Sequence, residues 1–174
     1  MKMFFWLLLT ACLVLSACER TPAARPDDFS LTLEWDTGAL PPPYHYSYIV
    51  AIGPGLAEKF SFQPGYAPDN AEDAWQTKFE LGSQDLDALY QILVEKDMLR
   101  SQWSTGQPLL GGQGTSLAIS AGGKEYRVPS ISVLTRSERE KVDEIIEIIR
   151  GYVPQAIWDE MVARQAEFEA GFEY

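Results

Sequence analysis

Cysteine and histidine are nearly missing from this chain. Its 174 residues include 2 cysteines and 1 histidine. Both cysteines, Cys12 and Cys18, fall at the very start, so the rest has no disulfide and no thiolate chemistry and must draw its stability from a core. With His45 as the single imidazole, a zinc site would need carboxylates almost alone. No metal or cofactor is expected. Basic charge is also short, with 14 Lys and Arg against 25 Asp and Glu and a formal net charge of −11. Such a surface is repelled by nucleic acid and by anionic headgroups, which argues against a polyanion binder and is compatible with basic partners or with simple solubility.

Catalytic spacings are scarce too. Ser116 follows Gly114, but Ala118 stands where the second glycine of G-x-S-x-G belongs. The loop Gly111-Gly112-Gln113-Gly114-Thr115-Ser116 has the glycines of a phosphate cradle but no lysine, and a strand rather than a helix follows it. Asp69-Asn70-Ala71-Glu72-Asp73 offers oxygen ligands without the alternating spacing of an EF-hand, and reads as a solvated loop.

What the chain does have is a distinctive start. Lys2 provides a positive charge, and an apolar run from Met3 to Val14 is broken only by Thr10. Counted on through Ala17, a stretch of about 15 residues suits the hydrophobic region of an export signal and is short of the roughly 20 that span a bilayer. It closes in Leu15-Ser16-Ala17-Cys18. That segment resembles the lipobox of bacterial lipoproteins, L-[AS]-[GA]-C, at all four positions. The resemblance implies cleavage before Cys18, a diacylglycerol on its thiol and acylation of the new amine, which makes Cys18 the only covalent membrane anchor. Several acyl chains on one residue hold firmly, because each buried methylene contributes about 0.8 kcal/mol. In Gram-negative members an aspartate after the cysteine favours the inner membrane. Glu19 therefore implies the outer membrane. Without residues 1–17 the chain keeps 13 basic and 25 acidic residues, so lipid and not charge provides the attachment.

The expected organisation is a signal peptide over 1–17, an acylated cysteine and flexible tether over 18–28, and one domain over 29–174. Leu31, Leu33 and Trp35 alternate with Thr32, Glu34 and Asp36 as a half-buried strand. Pro41-Pro42-Pro43 bars regular hydrogen-bonded structure, and His45 sits in the strand that follows, in a surface or packing role. Gly53-Pro54-Gly55 fits a type II turn. Strands are predicted from Tyr44 to Ile52, from Lys59 to Phe62, and along Trp75, Thr77, Phe79 and Leu81. Ser83 caps a helix whose face is Leu86, Leu89, Tyr90 and Leu93. Gly122-Gly123 makes a two-residue hairpin turn that pairs Ala121 with Lys124, Ile119 with Tyr126 and Leu117 with Val128. Thr135-Arg136-Ser137-Glu138 has the form of a capping box ahead of Val142, Ile145, Ile146 and Ile149. Pro154 opens a last helix with a stripe of Trp158, Met161, Phe168 and Phe172, which either docks on the sheet or forms a partner-binding arm. The fold class is α+β, an antiparallel sheet of about six strands with two or three helices on one face. The layout is similar to small domains of unknown function on many envelope lipoproteins, a likeness that implies no site residues.

Functional candidates are few. Tyr44, Tyr46 and Tyr48 lie on the side that continues into Val50 and Ile52, which marks it as the core. Trp103 and the triproline loop beside Tyr44 are the better surface contacts, with Trp158, Phe168 and Phe172 next. Glu34 and Asp36 share one strand face and would be the acid and base of a hydrolase, although a solvent face looks the same. The expectation is a non-enzymatic lipoprotein that faces the periplasm from the outer membrane and binds an envelope protein partner. The alternatives are a glycan or small-ligand binder, then a hydrolase using the carboxylate pair.

Overall fold

Strand β1 (Ser30–Asp36) occupies the middle of the sheet, and its alternation explains why. Leu31 and Leu33 are buried on one side, while Thr32, Glu34 and Asp36 face the other. A computed structural model describes residues 24–54, 58–66, 74–109 and 111–172. The elements are β1, β2 (Tyr46–Ile52), β3 (Lys59–Pro64), β4 (Trp75–Lys78), α1 (Ser83–Glu95), β5 (Gly114–Ala121), β6 (Lys124–Val128), α2 (Arg136–Tyr152) and α3 (Gln155–Ala170). The sheet runs β4-β3-β2-β1-β5-β6, antiparallel throughout. Hairpins explain the first four strands and the last two. The segment holding α1 then carries the chain from the β4 edge to the far side of β1, beneath the buried face. The fold is therefore α+β, with six antiparallel strands and three α-helices among the described residues.

The β5–β6 register matches the turn chemistry. Gly122 and Gly123 both have positive φ (61° and 73°), the two-residue turn that follows the right-handed strand twist. Ala121 pairs with Lys124, Ile119 with Tyr126 and Leu117 with Val128, as the alternation requires.

The core collects Leu31, Leu33, Val50, Ile52, Phe60, Phe62, Leu117 and Ile119 from the sheet with Leu89, Leu93, Val142, Ile145 and Ile149 from α1 and α2. Beside it runs an aromatic seam. Tyr48 lies flat between Trp35 (5.1 Å) and Phe60 (5.9 Å), and Trp158 of α3 stands edge-on to Tyr48 and Phe60 at 5.1 and 5.0 Å. Each such pair contributes about 0.5–1.5 kcal/mol beyond its buried area. Burial pushes the Tyr48 hydroxyl up to about 12.

Four local expectations need correction. The triproline does not stop hydrogen bonding: Pro42–Tyr44 is a 3-10 turn, with Tyr44 and His45 N–H both donating to the Pro41 carbonyl. Proline suits its first positions because those N–H groups would be orphans anyway. His45 follows that turn and lies outside the strand. Gly82, not Ser83, is the N-cap of α1, and its N–H donates to the Asp85 carboxylate at 3.1 Å. Thr135 is the N-cap of α2 but makes no side-chain cap bond. The capping box fails because Glu138 is taken elsewhere: buried, it accepts a bond from Arg100 and lies 3.5 Å from Lys141.

Contacts also begin earlier than the expected domain boundary at Phe29. Arg25 donates to Asp87 (2.7 Å) and to Ser83 (3.3 Å) at the start of α1. Asp28 accepts the N–H groups of Gly122 (2.8 Å) and Gly123 (2.6 Å), and fully buried Phe29 packs edge-on to Tyr90 at 5.2 Å. Residues 1–17 and 18–23 of the signal and tether expectation, and Gly55 of the type II turn, lie outside the described residues.

Glu138→Ala leaves Arg100 without its main partner and should destabilise by about 1–3 kcal/mol in urea titration. Thr135→Ala, which removes no cap bond, should cost less than the usual capping value of about 1 kcal/mol. The amides of Gly123 and Gly122 hold the Asp28 carboxyl below its ordinary value of 3.8. A depressed pKa means that the clamp contributes fully above that value and is lost as pH falls through the lower, folded one. The amide shifts of Gly122 and Gly123 should therefore titrate below pH 3.8, and Asp28→Ala should abolish that titration.

Candidate functional site: an aromatic end

One end of the sheet gathers the end of β1, the starts of β2 and β5 and the end of β3, since Asp36 pairs with Ser47 and Gly114, and Tyr46 with Pro64. The 3-10 turn over Pro42–Tyr44 arches over it. Pro43 is buried, and its carbonyl accepts from the Gln165 Nε2 of α3 at 2.8 Å. Beneath the turn His45 is only 8% exposed. Its Nδ1 lies 2.8 Å from the Gly38 carbonyl, which can only accept, so Nδ1 carries the proton. The His45 ring forms a shelf for Tyr66, with centroids 3.9 Å apart and planes within 7°. The Tyr66 hydroxyl donates to the Leu40 carbonyl at 2.6 Å. Gly65 adopts φ +67°, and a Cβ there would lie 2.6 Å from the Phe168 ring. Phe168 in turn packs edge-on to Phe172 at 5.1 Å.

These contacts hold an apolar surface outward. Leu40, Tyr44, Tyr66 and Phe172 are 39–50% exposed, and Phe168 is half-buried among them. Stray exposed apolar residues are ordinary, whereas these stand on neighbouring elements braced by the contacts above. Polar reach from the same surface is small, because the Tyr66 hydroxyl and the His45 Nδ1 proton are both turned to backbone carbonyls.

Of the residues singled out from sequence, Tyr44, Phe168 and Phe172 come together here. Trp158 does not: it is packed in the aromatic seam, its Nε1–H donates to the Arg150 carbonyl at 3.2 Å, and Arg150 lies over its ring. Trp103 is also elsewhere, half-buried after α1 with the Arg100 guanidinium 4.0 Å above its ring. Leu40, Tyr66, His45, Gly65 and Gln165 were missed as parts of one surface. Gln165 had a signal, since it falls four residues after Met161 on the buried stripe. Lys2, Leu15, Ser16, Ala17, Cys18 and Glu19 lie outside the described residues, as does the Asp69–Asp73 loop. No described helix is long and apolar enough to cross a membrane.

Glu34 and Asp36 do project from the same, open face and border a shallow depression of about 350 Å³ with Ser47, Ile49 and Ser116. They are not equivalent. Glu34 is exposed, whereas Asp36 Oδ1 accepts the N–H of Gly38 at 2.6 Å and that of Gly114 at 3.3 Å. The glycine-rich loop thus does receive an anion, and that anion is internal. A Cβ on Gly114 would sit 1.9 Å from the Asp36 carboxylate, and one on Gly38 would sit 2.0 Å from the Gly112 carbonyl.

Two larger open clefts have mixed charge. One, of about 630 Å³, lies between Gly111–Gln113 and the start of α2, where Arg136 already pairs with Glu140 at 2.9 Å and burial pushes the Asp143 carboxyl up. The other, of about 620 Å³, lies between Leu99–Gln102 and Lys124–Tyr126. No group of three or more His, Cys, Asp or Glu that could hold a metal occurs among the described residues.

The brace under the aromatic end can be tested directly. Gln165→Met keeps bulk but removes the bond to Pro43, and should cost about 1 kcal/mol in urea titration. Gly65→Ala meets both a left-handed backbone and the Phe168 ring, and should cost about 2 kcal/mol or more. The chain matches no protein-family model and no curated protein sequence.

Proposed function

We propose that the protein is a non-enzymatic lipoprotein, anchored through Cys18 in the outer membrane and facing the periplasm, that holds an envelope protein partner with its aromatic end. The observation that carries this is the outward cluster of Leu40, Tyr44, Tyr66 and Phe172 on a platform braced by His45, Gly65 and Gln165. Rigid aromatic anchors are what protein interfaces use for affinity, because little side-chain freedom is lost on binding.

The inward-turned polar groups favour a protein over a glycan. Sugar recognition needs stacking platforms together with donors and acceptors aimed at hydroxyl groups, and Tyr66 and His45 spend theirs on the fold. Hydrolysis by Glu34 and Asp36 has weaker support still, since Asp36 is engaged by two backbone amides. The acidic balance of the chain fits a partner with a basic rim around an apolar centre.

A photo-cross-linking residue placed at Tyr44 or Phe172 in the acylated protein should capture one partner in intact envelopes, and the same residue at Ile49 on the open sheet face should not. With that partner purified, Phe172→Ala should weaken binding by roughly tenfold or more, the range of an aromatic anchor, with unchanged urea stability. Equal capture from Ile49 would remove the aromatic end from the proposal. Tryptophan fluorescence changes on adding muropeptides, with no protein captured, would support the glycan reading instead.

A further inference from the structure

We infer that the clamp over Arg25–Phe29 orients the domain on its anchor, with the β5–β6 hairpin end toward the bilayer and the aromatic end toward the aqueous side, so that the partner arrives from the aqueous compartment and not sideways within the membrane. The inference rests on the lipid anchor at Cys18, which is part of the proposal above.

From Cys18 to Arg25 the chain has seven residue steps, which at full extension reach about 25 Å. A short leash limits height but leaves a domain free to roll if it is attached at one pivot. Here the clamp sets where on the domain the leash ends, at one end of the sheet, because the chain is fastened from Arg25 onward. Arg25 bonds two residues of α1, Asp87 and Ser83, through different guanidinium nitrogens. Asp28 bonds the tip of the β5–β6 hairpin through both carboxylate oxygens, and Phe29 is fully buried against Tyr90. Between Arg25 and Asp28 the chain is folded back, with the Phe29 N–H donating to the Pro26 carbonyl at 3.1 Å. The incoming chain is thus fastened to two separate elements at one end of the sheet.

The aromatic end lies at the opposite end of the same strand. β1 begins at Ser30 beside the clamp and ends at Asp36, beside the 3-10 turn and Gly38. Its seven residues separate the two ends by about 23 Å. The surface offered to a partner is therefore the one farthest from the anchor.

The test uses the full-length acylated protein in phosphatidylethanolamine–phosphatidylglycerol vesicles that carry an acceptor-labelled lipid. Cys12 lies in the signal and the Cys18 thiol is acylated, so a single introduced cysteine takes the donor dye, at Lys124→Cys on the hairpin or Phe172→Cys at the aromatic end. Energy transfer should be several-fold stronger from position 124 than from position 172. Asp28→Asn, which gives up one acceptor oxygen, should narrow that difference, and Arg25→Ala combined with Asp28→Ala should abolish it. Equal transfer from the two sites with the clamp intact, or stronger transfer from 172, would overturn the orientation while leaving the anchor and the partner surface standing. No transfer from either site, with a mass showing no lipid on Cys18, would overturn the anchor and this inference together.

Discussion

Two aspartates, one at each end of β1, close the seam where the two halves of the sheet meet. β1 joins strands β2–β4 to the β5–β6 hairpin. Just before it, Asp28 takes the amides of Gly122 and Gly123 beyond the end of β5; at its last residue, Asp36 takes the amide of Gly114 at the start of β5. Carboxylate–amide bonds are among the stronger hydrogen bonds. The pairing of β1 with β5, from Ser30 opposite Ser120 to Asp36 opposite Gly114, is thereby closed at both ends. Much else depends on that register. It buries Leu31 and Leu33 beside Leu117 and Ile119, and it sets Gly38 and Gly112 in contact under the aromatic end.

The parts legible from sequence were those whose cause is local. The β5–β6 hairpin could be read to the residue because turn type and alternation are both short-range and agree. α2 could be read from the spacing of Val142, Ile145, Ile146 and Ile149, all of which are buried. The local signal misled where a distant group competed for the same atoms. Glu138 is well placed to close a capping box, yet Arg100, far back in the chain, takes its carboxylate into a more buried pair. The glycines of Gly111–Gly114 have the look of an anion loop, and only the register reveals that Asp36 is the anion.

The aromatic end was half legible for the same reason. Tyr44 stood out through its prolines, and Phe168 and Phe172 through helical spacing. Tyr66 and Gly65 carry no periodic signal, and their importance comes from the end of β3 meeting the end of α3. His45, isolated in the sequence, is a shelf and a hydrogen-bond donor. Trp103, a candidate surface contact, instead packs against the core with Arg100 over its ring, and Trp158 takes the docked one of its two expected positions, with Arg150 over its ring.

The position of β1 also has a consequence for how the chain acquires its shape. Strands β1 to β4 can zip by neighbouring hairpins, but the second edge of β1 waits for β5, whose pairing partner for Ser30 is Ser120. Contacts so distant in sequence are slow to close, and an unpaired strand edge is a template for other chains. During that interval the sheet presents β1, with Leu31 and Leu33, along an open edge. Any fragment that ends before Gly114 keeps that edge permanently. Such fragments would seek one another, and the chain becomes safe from self-association only when its hairpin arrives and the two aspartates close over it.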